Sequence, residues 1–392
     1  MDLATIDLFL EDRHAELVLE VDAFAKHSIA TLLHPKDDAA ARLQARQILQ
    51  LLGDSGWARY SVPRQEDGRE TLDLRACCLI REALAAASPL ADAVFALQCL
   101  GAMPIALAGS EATRQRWLPG VAQGQIMAAF AMTEPEAGSD VGAIETRAEL
   151  VGHDYVLNGH KILISNAGLA DFYTVFAKTD LEAGTRGLSA FVVPAETEGL
   201  EFAGPQIMSE PHPLGELRFT DCRIPADSLL ANEGEGFKLG MRTLDRLRTT
   251  VAAAACGMAS RALDEALSYA KDRQQFGRPL ADFQLIQQKL ARMGTDLTAA
   301  RLLVYRAACE ADLGAEPITL ESAMAKAFAT EAAQRVVDDA LQIIGGRGAL
   351  ADHPVDRLYR AVRSLRIYEG TTEIQYLVIA REMLRKKDLT DR

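Results

Sequence analysis

From residue 238 onward the chain is dominated by four long runs, 238–272, 282–313, 317–344 and 354–386, each rich in Ala, Leu and Arg. Their breaks are Phe276-Gly277-Arg278-Pro279, the stretch from Gly314 to Pro317, and Gly345-Gly346-Arg347-Gly348. Long runs of good helix formers with short, turn-rich connections predict a four-helix bundle over residues 233–392. Ahead of it, residues 128–232 have a different texture. Short runs at Lys161–Ser165, Phe172–Ala177, Leu188–Pro194 and Glu216–Arg223 are separated by Gly, Asp and Asn, which predicts strands in a compact β barrel or sandwich. Residues 1–127 are helical again. Leu43, Ile48, Leu51 and Leu52 recur at helical spacing, as do Ala76, Leu79, Ile80 and Leu84. Ser110-Glu111 opens a short helix that Pro119-Gly120 is expected to end. The predicted architecture is mostly α with a central β domain.

A chain of 392 residues needs about two or three cores of this kind. The net charge of −13 and the absence of a basic stripe argue against nucleic acid or an anionic membrane as partner. No apolar run long enough to span a bilayer is expected. The N-terminal MDLATIDLFLEDRHAELV is acidic and helix-like, unlike a secretory or transit leader. Six scattered cysteines, without CxxC or a His-Cys cluster, predict reduced core thiols in a cytoplasmic protein and no metal site.

Two short segments carry chemistry. Residues 130–140 read FAMTEPEAGSD. Gly138 permits close backbone approach to a ligand, Thr133 and Ser139 offer hydroxyls, and successive N–H groups in such a turn form an anion-binding nest. That composition suits a flavin and its phosphates, although an ordinary Asx or Ser turn has the same GSD signature. About twenty residues on, Gly159-His160-Lys161-Ile162-Leu163-Ile164-Ser165-Asn166 reads as a strand. Alternation would place Lys161, Leu163 and Ser165 on one face, where a flat ring could lie. Near the other end, IYEGTTEIQ at 367–375 holds one carboxylate, Glu369, beside an aromatic and a glycine. It suits a base removing a carbon-bound proton; an exposed glutamate at a helix start is the plain alternative.

Six ordered motifs, Phe130–Asp140, Gly159–Asn166, Asp245–Arg248 in LDRLRTTVAAAACG, Asp272–Gly277 in DRQQFG, Gln342–Gly346 in QIIGG and Tyr368–Gln375 in YEGTTEIQ, resemble the acyl-CoA dehydrogenase family along nearly the whole chain. The resemblance implies an N-terminal helical domain (1–127), a central β domain (128–232) and a C-terminal four-helix bundle (233–392). It implies FAD held non-covalently, and a homodimer or homotetramer in which a neighbouring subunit completes each FAD site. By position, Phe130, Met132, Thr133, Gly138 and Ser139 would line flavin and pyrophosphate, with Leu163 and Ser165 as the next ring contacts. Arg273, Gln275, Phe276, Gln342, Gly345 and Gly346 would reach the FAD of the partner subunit, with Thr371 and Glu373 as a further FAD contact. Glu369 would take the Cα proton of an acyl-CoA thioester as hydride passes from Cβ to flavin N5, and electrons would go on to an electron-transferring flavoprotein. Its own amide would help to polarise the thioester carbonyl. Ser139, Asp245, Arg248, Tyr368 and Gly370 would meet the substrate. Some branches of the family place the base at the position of Leu247, which cannot accept a proton.

The chain also departs from the family pattern. Leu163 stands where many relatives carry Trp or Phe, which predicts a more open flavin edge. In Gln206–Leu214, QIMSEPHPL, Met208 and Glu210 replace a glycine and an arginine near the thioester entrance. That loss of a cation admits a carrier-protein thioester in place of coenzyme A, with Arg186 a weak candidate for phosphate; His212 is expected at the surface. Ile344, Arg347 and Ala349 also differ from the usual residues. Phe95–Cys99 and Tyr368 are candidates for the acyl-tail pocket. The competing readings are an acyl-carrier-protein-linked acyl dehydrogenase, an oxidase or a desulfinase on the same fold, and a non-catalytic DNA-associated flavoprotein, which the acidic charge disfavours.

Overall fold

The computed structural model describes residues 4–66 and 69–390. Contacts divide the chain into two compact units, each assembled from separate segments: one from residues 1–32, 74–92 and 245–392, the other from 33–73 and 93–244.

The second unit is built on a sheet. It contains helix α1 at Asp38–Asp54, capped by Asp37 accepting from the Ala40 amide at 2.8 Å, and a small hairpin of β1 (Arg64–Glu66) and β2 (Arg69–Thr71). Helices α2 (Pro89–Ala108, from Ala93 on) and α3 (Glu111–Ala122) follow. The strands are β3 (Ala128–Ala131), β4 (Arg147–Val151), β5 (Asp154–Ser165), β6 (Phe172–Lys178), β7 (Leu188–Pro194), β8 (Leu200–Pro205), β9 (Leu214–Pro225) and β10 (Leu229–Leu230). The predicted β domain takes the form of one eight-stranded mixed sheet, ordered β10-β7-β6-β4-β5-β9-β8, with β3 added parallel to β6. One cluster around Tyr155, Leu157, Tyr173, Phe191 and Phe219 and another around Trp117, Phe172, Phe176 and Val192 account for its core, so β6 and β7 are buried nearly throughout. Strands covered on both sides read as continuous apolar runs, which is why they were legible. Helix α2 lies tight on β3: a Cβ at Gly101 would sit 2.6 Å from the Ala128 Cβ, and Gln98 Oε1 accepts from the Ala128 amide at 3.0 Å.

Several local expectations needed correction. Pro119 lies inside α3, which continues to Ala122, because Pro removes only one donor and the following turn supplies the cap. Leu43 is 78% exposed, whereas Ile48 and Leu52 are fully buried; the helical spacing was right and the buried stripe narrower than read. Helix α2 is long and apolar enough to cross a membrane by length and composition, contrary to the sequence reading; 78% of its apolar window is buried inside the protein.

The first unit is helical. It holds α4 (Asp12–Phe24), α5 (Leu74–Ala87), α6 (Gly236–Asp272, from Asp245 on), α7 (Gln284–Asp312), α8 (Thr319–Ile344), α9 (Pro354–Leu365) and α10 (Thr372–Thr390). The run predicted as one helix over 354–386 is two, interrupted at residues 366–371. Small residues let these helices approach: Ala323, Ala325, Ala329, Ala332, Ala333 and Ala340 are all essentially buried on α8. Two buried charges on α5 are paired. Arg81 is 2% exposed and donates to Asp92 through Nε at 2.7 Å and Nη2 at 2.9 Å, and to the Thr250 hydroxyl at 2.8 Å. Glu82 accepts from Arg301 at 2.7 Å and from the Tyr305 hydroxyl at 2.8 Å. None of the six cysteines forms a disulfide, and all but Cys309 are buried.

Candidate functional site

The break between α9 and α10 is built by local capping. The Ile367 and Tyr368 amides both return to the Ser364 carbonyl, at 2.9 and 3.1 Å, and close α9. The Thr371 hydroxyl accepts from the Ile374 amide at 3.3 Å and opens α10. Between them Glu369 and Gly370 adopt φ of 54° and 91°. That region costs a non-glycine residue energy, so the surroundings must hold it there. They do. Arg248 Nε donates to the Glu369 carbonyl at 2.8 Å. Lys326 Nζ donates to the Gly370 carbonyl at 2.7 Å, and Gln375 Nε2 reaches the same carbonyl at 3.0 Å.

These bonds use the backbone of Glu369 and leave its side chain unspent. Oε2 is buried without a hydrogen-bond partner, although the residue as a whole is only half-buried. The Glu369 amide likewise donates to none of the described residues. Burial pushes the carboxyl above its ordinary range, and Arg81, Arg248 and Lys326 restrain that rise. A carboxylate in this state, raised but ringed by cations, is suited to taking a proton. Tyr368 lies beside it; burial raises its phenol and Arg81 opposes. Asp245, expected at the substrate, is occupied by the protein: Oδ1 accepts from Arg248 at 2.7 Å and Oδ2 from the Thr319 hydroxyl at 2.8 Å. Leu247 is buried on the same helix.

In the sheet-containing unit, residues 130–140 form a tight loop after β3. Glu134 and Ala137 bond each other's backbone, at 3.0 and 3.2 Å. Glu134 anchors the loop from beneath, accepting from Lys161 Nζ at 2.7 Å, from the Glu145 and Thr146 amides at 2.6 and 3.1 Å, and from the Thr146 hydroxyl. Met132 is buried, and its carbonyl accepts from Lys161 at 3.0 Å. Above this anchor the loop is open. A Cβ at Gly138 would meet nothing within 4 Å, Ser139 is exposed, and neither the Thr133 nor the Ser139 hydroxyl bonds a described residue. Phe130 packs against Phe176 with centroids 4.8 Å apart and the rings tilted by 52°.

The expected alternation along β5 fails. The register of β5 on β9 shifts between Lys161 and Ile164, and Leu163 has φ of 55°. The bulge turns Lys161 inward, fully buried, and leaves Leu163 53% exposed. The loop before β9 fixes this distortion: Gln206 Oε1 accepts from the Leu163 amide at 2.6 Å, and the Pro213 carbonyl from the Asn166 amide at 2.9 Å. His212, expected at the surface, instead bonds the Ser165 hydroxyl through Nε2 at 2.7 Å. Burial lowers its pKa to about 4, so the imidazole is neutral at pH 7. Phe95 and Cys99 are buried, and Arg186 is exposed.

On the bundle, Gln274–Gln275 and Arg278–Pro279 make a small hairpin whose tip, Phe276, is 94% exposed at φ 52°. Gln275 is also exposed. Arg273 shares one open groove with Tyr269, Ile344, Arg347 and His353, so the DRQQFG and QIIGG motifs come together. Gly345 ends α8 with φ 71° and ψ −146°, a conformation only glycine adopts readily, and Gln342 and Gly346 are exposed beside it. Thr371 and Glu373 begin α10, Glu373 exposed.

Sequence reasoning missed Arg81, Asp92 and Lys326, and misplaced Lys161 and His212. For the three missed residues a signal existed, a charged residue inside an otherwise apolar run, which must be paired or hydrogen-bonded if buried.

Comparison with known proteins agrees with this reading. The acyl-CoA dehydrogenase family models match in order: the N-terminal domain over residues 11–125, the middle domain over 129–222 and the C-terminal domain over 234–384. The chain belongs to the acyl-CoA dehydrogenase family, whose members are FAD-dependent oxidoreductases. It is 41% identical over 384 residues to a probable acyl-CoA dehydrogenase, fadE25, of Mycobacterium leprae, covering 97% of each chain. It is 38% identical to a 3-(aryl)acrylate reductase of Clostridium sporogenes, over 96% of this chain and 100% of that one. Among solved structures, butyryl-CoA dehydrogenase from Megasphaera elsdenii superposes with a TM-score of 0.88 at 35% identity, over 96% of this chain and 99% of that one.

Proposed function

We propose that this oxidoreductase carries out α,β-dehydrogenation of an acyl-CoA thioester, with Glu369 as the base. The observation that carries the reading is the state of that residue: a buried carboxyl oxygen and an amide without hydrogen-bond partners among the described residues, and a left-handed backbone held by Arg248, Lys326 and Gln375. Glu369 takes the Cα proton onto its free oxygen. Its amide is available to donate to the thioester carbonyl and so to stabilise the negative charge that develops there. Arg248 holds the Glu369 carbonyl away, which keeps that amide turned outward for an acceptor.

The residues present fit FAD. The unbonded hydroxyls of Thr133 and Ser139, the open space at Gly138 and the exposed Leu163 suit a flat ring and its pyrophosphate, with Phe130, Met132 and Ser165 behind them. Arg273 offers a guanidinium fork to phosphate. With Gln275, Phe276, Gln342, Gly345, Gly346, Thr371 and Glu373 it would serve the FAD of a neighbouring subunit in a homodimer or homotetramer. When bound, FAD supplies the acceptor for the hydride that leaves Cβ. The electrons pass on to an electron-transferring flavoprotein. Segments 1–127, 128–232 and 233–392 act in this reading as the three domains of the family. Asp245 supports Arg248, and Tyr368 and Gly370 border the thioester.

A second reading has one observation behind it. Where the family's arginine is expected, the 206–214 loop carries Glu210, 6% exposed, and Met208, so a carrier-bound thioester is the alternative substrate. The test is anaerobic mixing of the yellow FAD-loaded protein with acyl-CoA thioesters and their carrier-bound counterparts, reading loss of flavin absorbance. Bleaching by coenzyme A thioesters supports the first reading. Bleaching by carrier thioesters alone selects the second, and bleaching by neither sinks both.

A further inference from the structure

Lys326 is 0% exposed on α8, between Ala325 and Ala327, both also buried. Burying an ammonium in such a helix is costly, and the cost must be met by the contacts it makes. Its hydrogen bond is to the Gly370 carbonyl, at 2.7 Å. The Glu369 and Gly370 carbonyls are thus held by three side chains from three helices: Arg248 from α6, Lys326 from α8 and Gln375 from α10. The clamp is tight. A Cβ on Gly370 would lie 2.6 Å from Gln375 Nε2 and 3.3 Å from Arg248 Nη2.

Resting on the reading of Glu369 as base, we propose that Lys326 is a positioning residue for the reaction: it locks the left-handed Glu369–Gly370 backbone so that the carboxylate and its amide point together at the substrate, and it sets a positive charge beside the base. Charges act on Glu369 from three surrounding helices: Arg81 on α5, with Asp92 paired to it, Arg248 on α6 and Lys326 on α8. Asp245 on α6 pairs with Arg248, Glu331 on α8 and Glu373 on α10 act on Lys326, and Tyr368 adjoins. Arg81 is bonded to Asp92 and Arg248 to Asp245, and both still act on the Glu369 carboxyl. Lys326 has no carboxylate in an ion pair among the described residues, and its charge acts on Glu369 together with those of Arg81 and Arg248. Burial lowers its pKa to about 8, and Glu369 opposes that fall.

The test uses the FAD-loaded enzyme with Lys326→Met, Lys326→Gln, Lys326→Arg and, as control, Glu369→Gln. Lys326→Met should keep FAD and KM and lose about 10²-fold in kcat, the cost of a misplaced base. The acid limb of its kcat profile should move to higher pH, because the lost cation no longer favours the carboxylate. Lys326→Arg should return the limb and most of the rate. Lys326→Gln can still donate to the Gly370 carbonyl, so it separates bond from charge and serves if the Met variant does not fold. A limb that stays in place in every folded uncharged variant overturns the proposal, as does an unchanged kcat. If Glu369→Gln itself turns over normally, the reading of the base fails instead, independently of Lys326.

Discussion

Two glutamates, one in each unit, contrast a buried carboxyl oxygen left without a partner with a carboxylate whose acceptors are filled. Glu134 is 6% exposed and has its acceptors filled by Lys161, two amides and a hydroxyl. Glu369 is buried at its carboxyl end and has one oxygen with no partner. Burial acts on both in the same direction, upward. At Glu134 the ammonium and the donors outweigh it and the net shift is down; at Glu369 burial wins and the net shift is up. None of the hydrogen bonds of Arg81, Arg248 and Lys326 goes to the Glu369 carboxylate, whereas Lys161 bonds the Glu134 carboxylate directly. Burial alone does not make a reactive carboxylate; an unfilled acceptor does.

The contrast breaks most sharply at the base. Glu369→Gln should lower kcat by about 10²–10⁴-fold with FAD absorbance intact. Retained turnover would show that the unfilled oxygen is incidental. The anchor should answer in stability. Lys161→Met leaves Glu134 buried beside a missing ammonium and should cost about 3–5 kcal/mol, read by denaturant unfolding. A small loss there would mean that the loop holds itself.

Two pH predictions sharpen the comparison. Because the carboxyl of Glu369 is raised, its base form is populated only above the shifted value. The acid limb of kcat should therefore lie above the ordinary glutamate pKa of about 4.3. A limb at or below that value contradicts the raised carboxyl. The smallest effect belongs to His212. Its folded pKa of about 4 lies below the usual value for histidine of about 6.5, so the unfolded chain takes up the proton first. The stability from the neutral His212–Ser165 pair is full above the unfolded value and is lost as pH falls towards 4. His212→Gln should flatten that part of a melting-temperature profile and cost about 1 kcal/mol at pH 7. An identical profile would remove the pair from the account.

Much of the fold was legible because it is written in short-range pattern. The covered strands β6 and β7 are continuous apolar runs, and the bundle helices follow their Ala- and Leu-rich segments. Glu369 and the 130–140 loop could be singled out from sequence because the pattern that marks them lies in consecutive residues. The errors came where a long-range contact overrode a local period. The alternation at Lys161, Leu163 and Ser165 was broken by Gln206 and Pro213, roughly forty to fifty residues away. The last helical run was interrupted at 366–371, where side chains from α6 and α8 stabilise a backbone that no helix would adopt.

The sequence by itself determined most of the helices and strands and singled out one carboxylate and one loop as candidates, since each depends on neighbours within a few positions. The tertiary structure alone decided that Lys326, Arg248 and Arg81 converge on that carboxylate and that Lys161 turns away from the ring face. Those arrangements arise from packing between elements remote in the chain, where burial sets the strength of each charge and no local period records who the partner is.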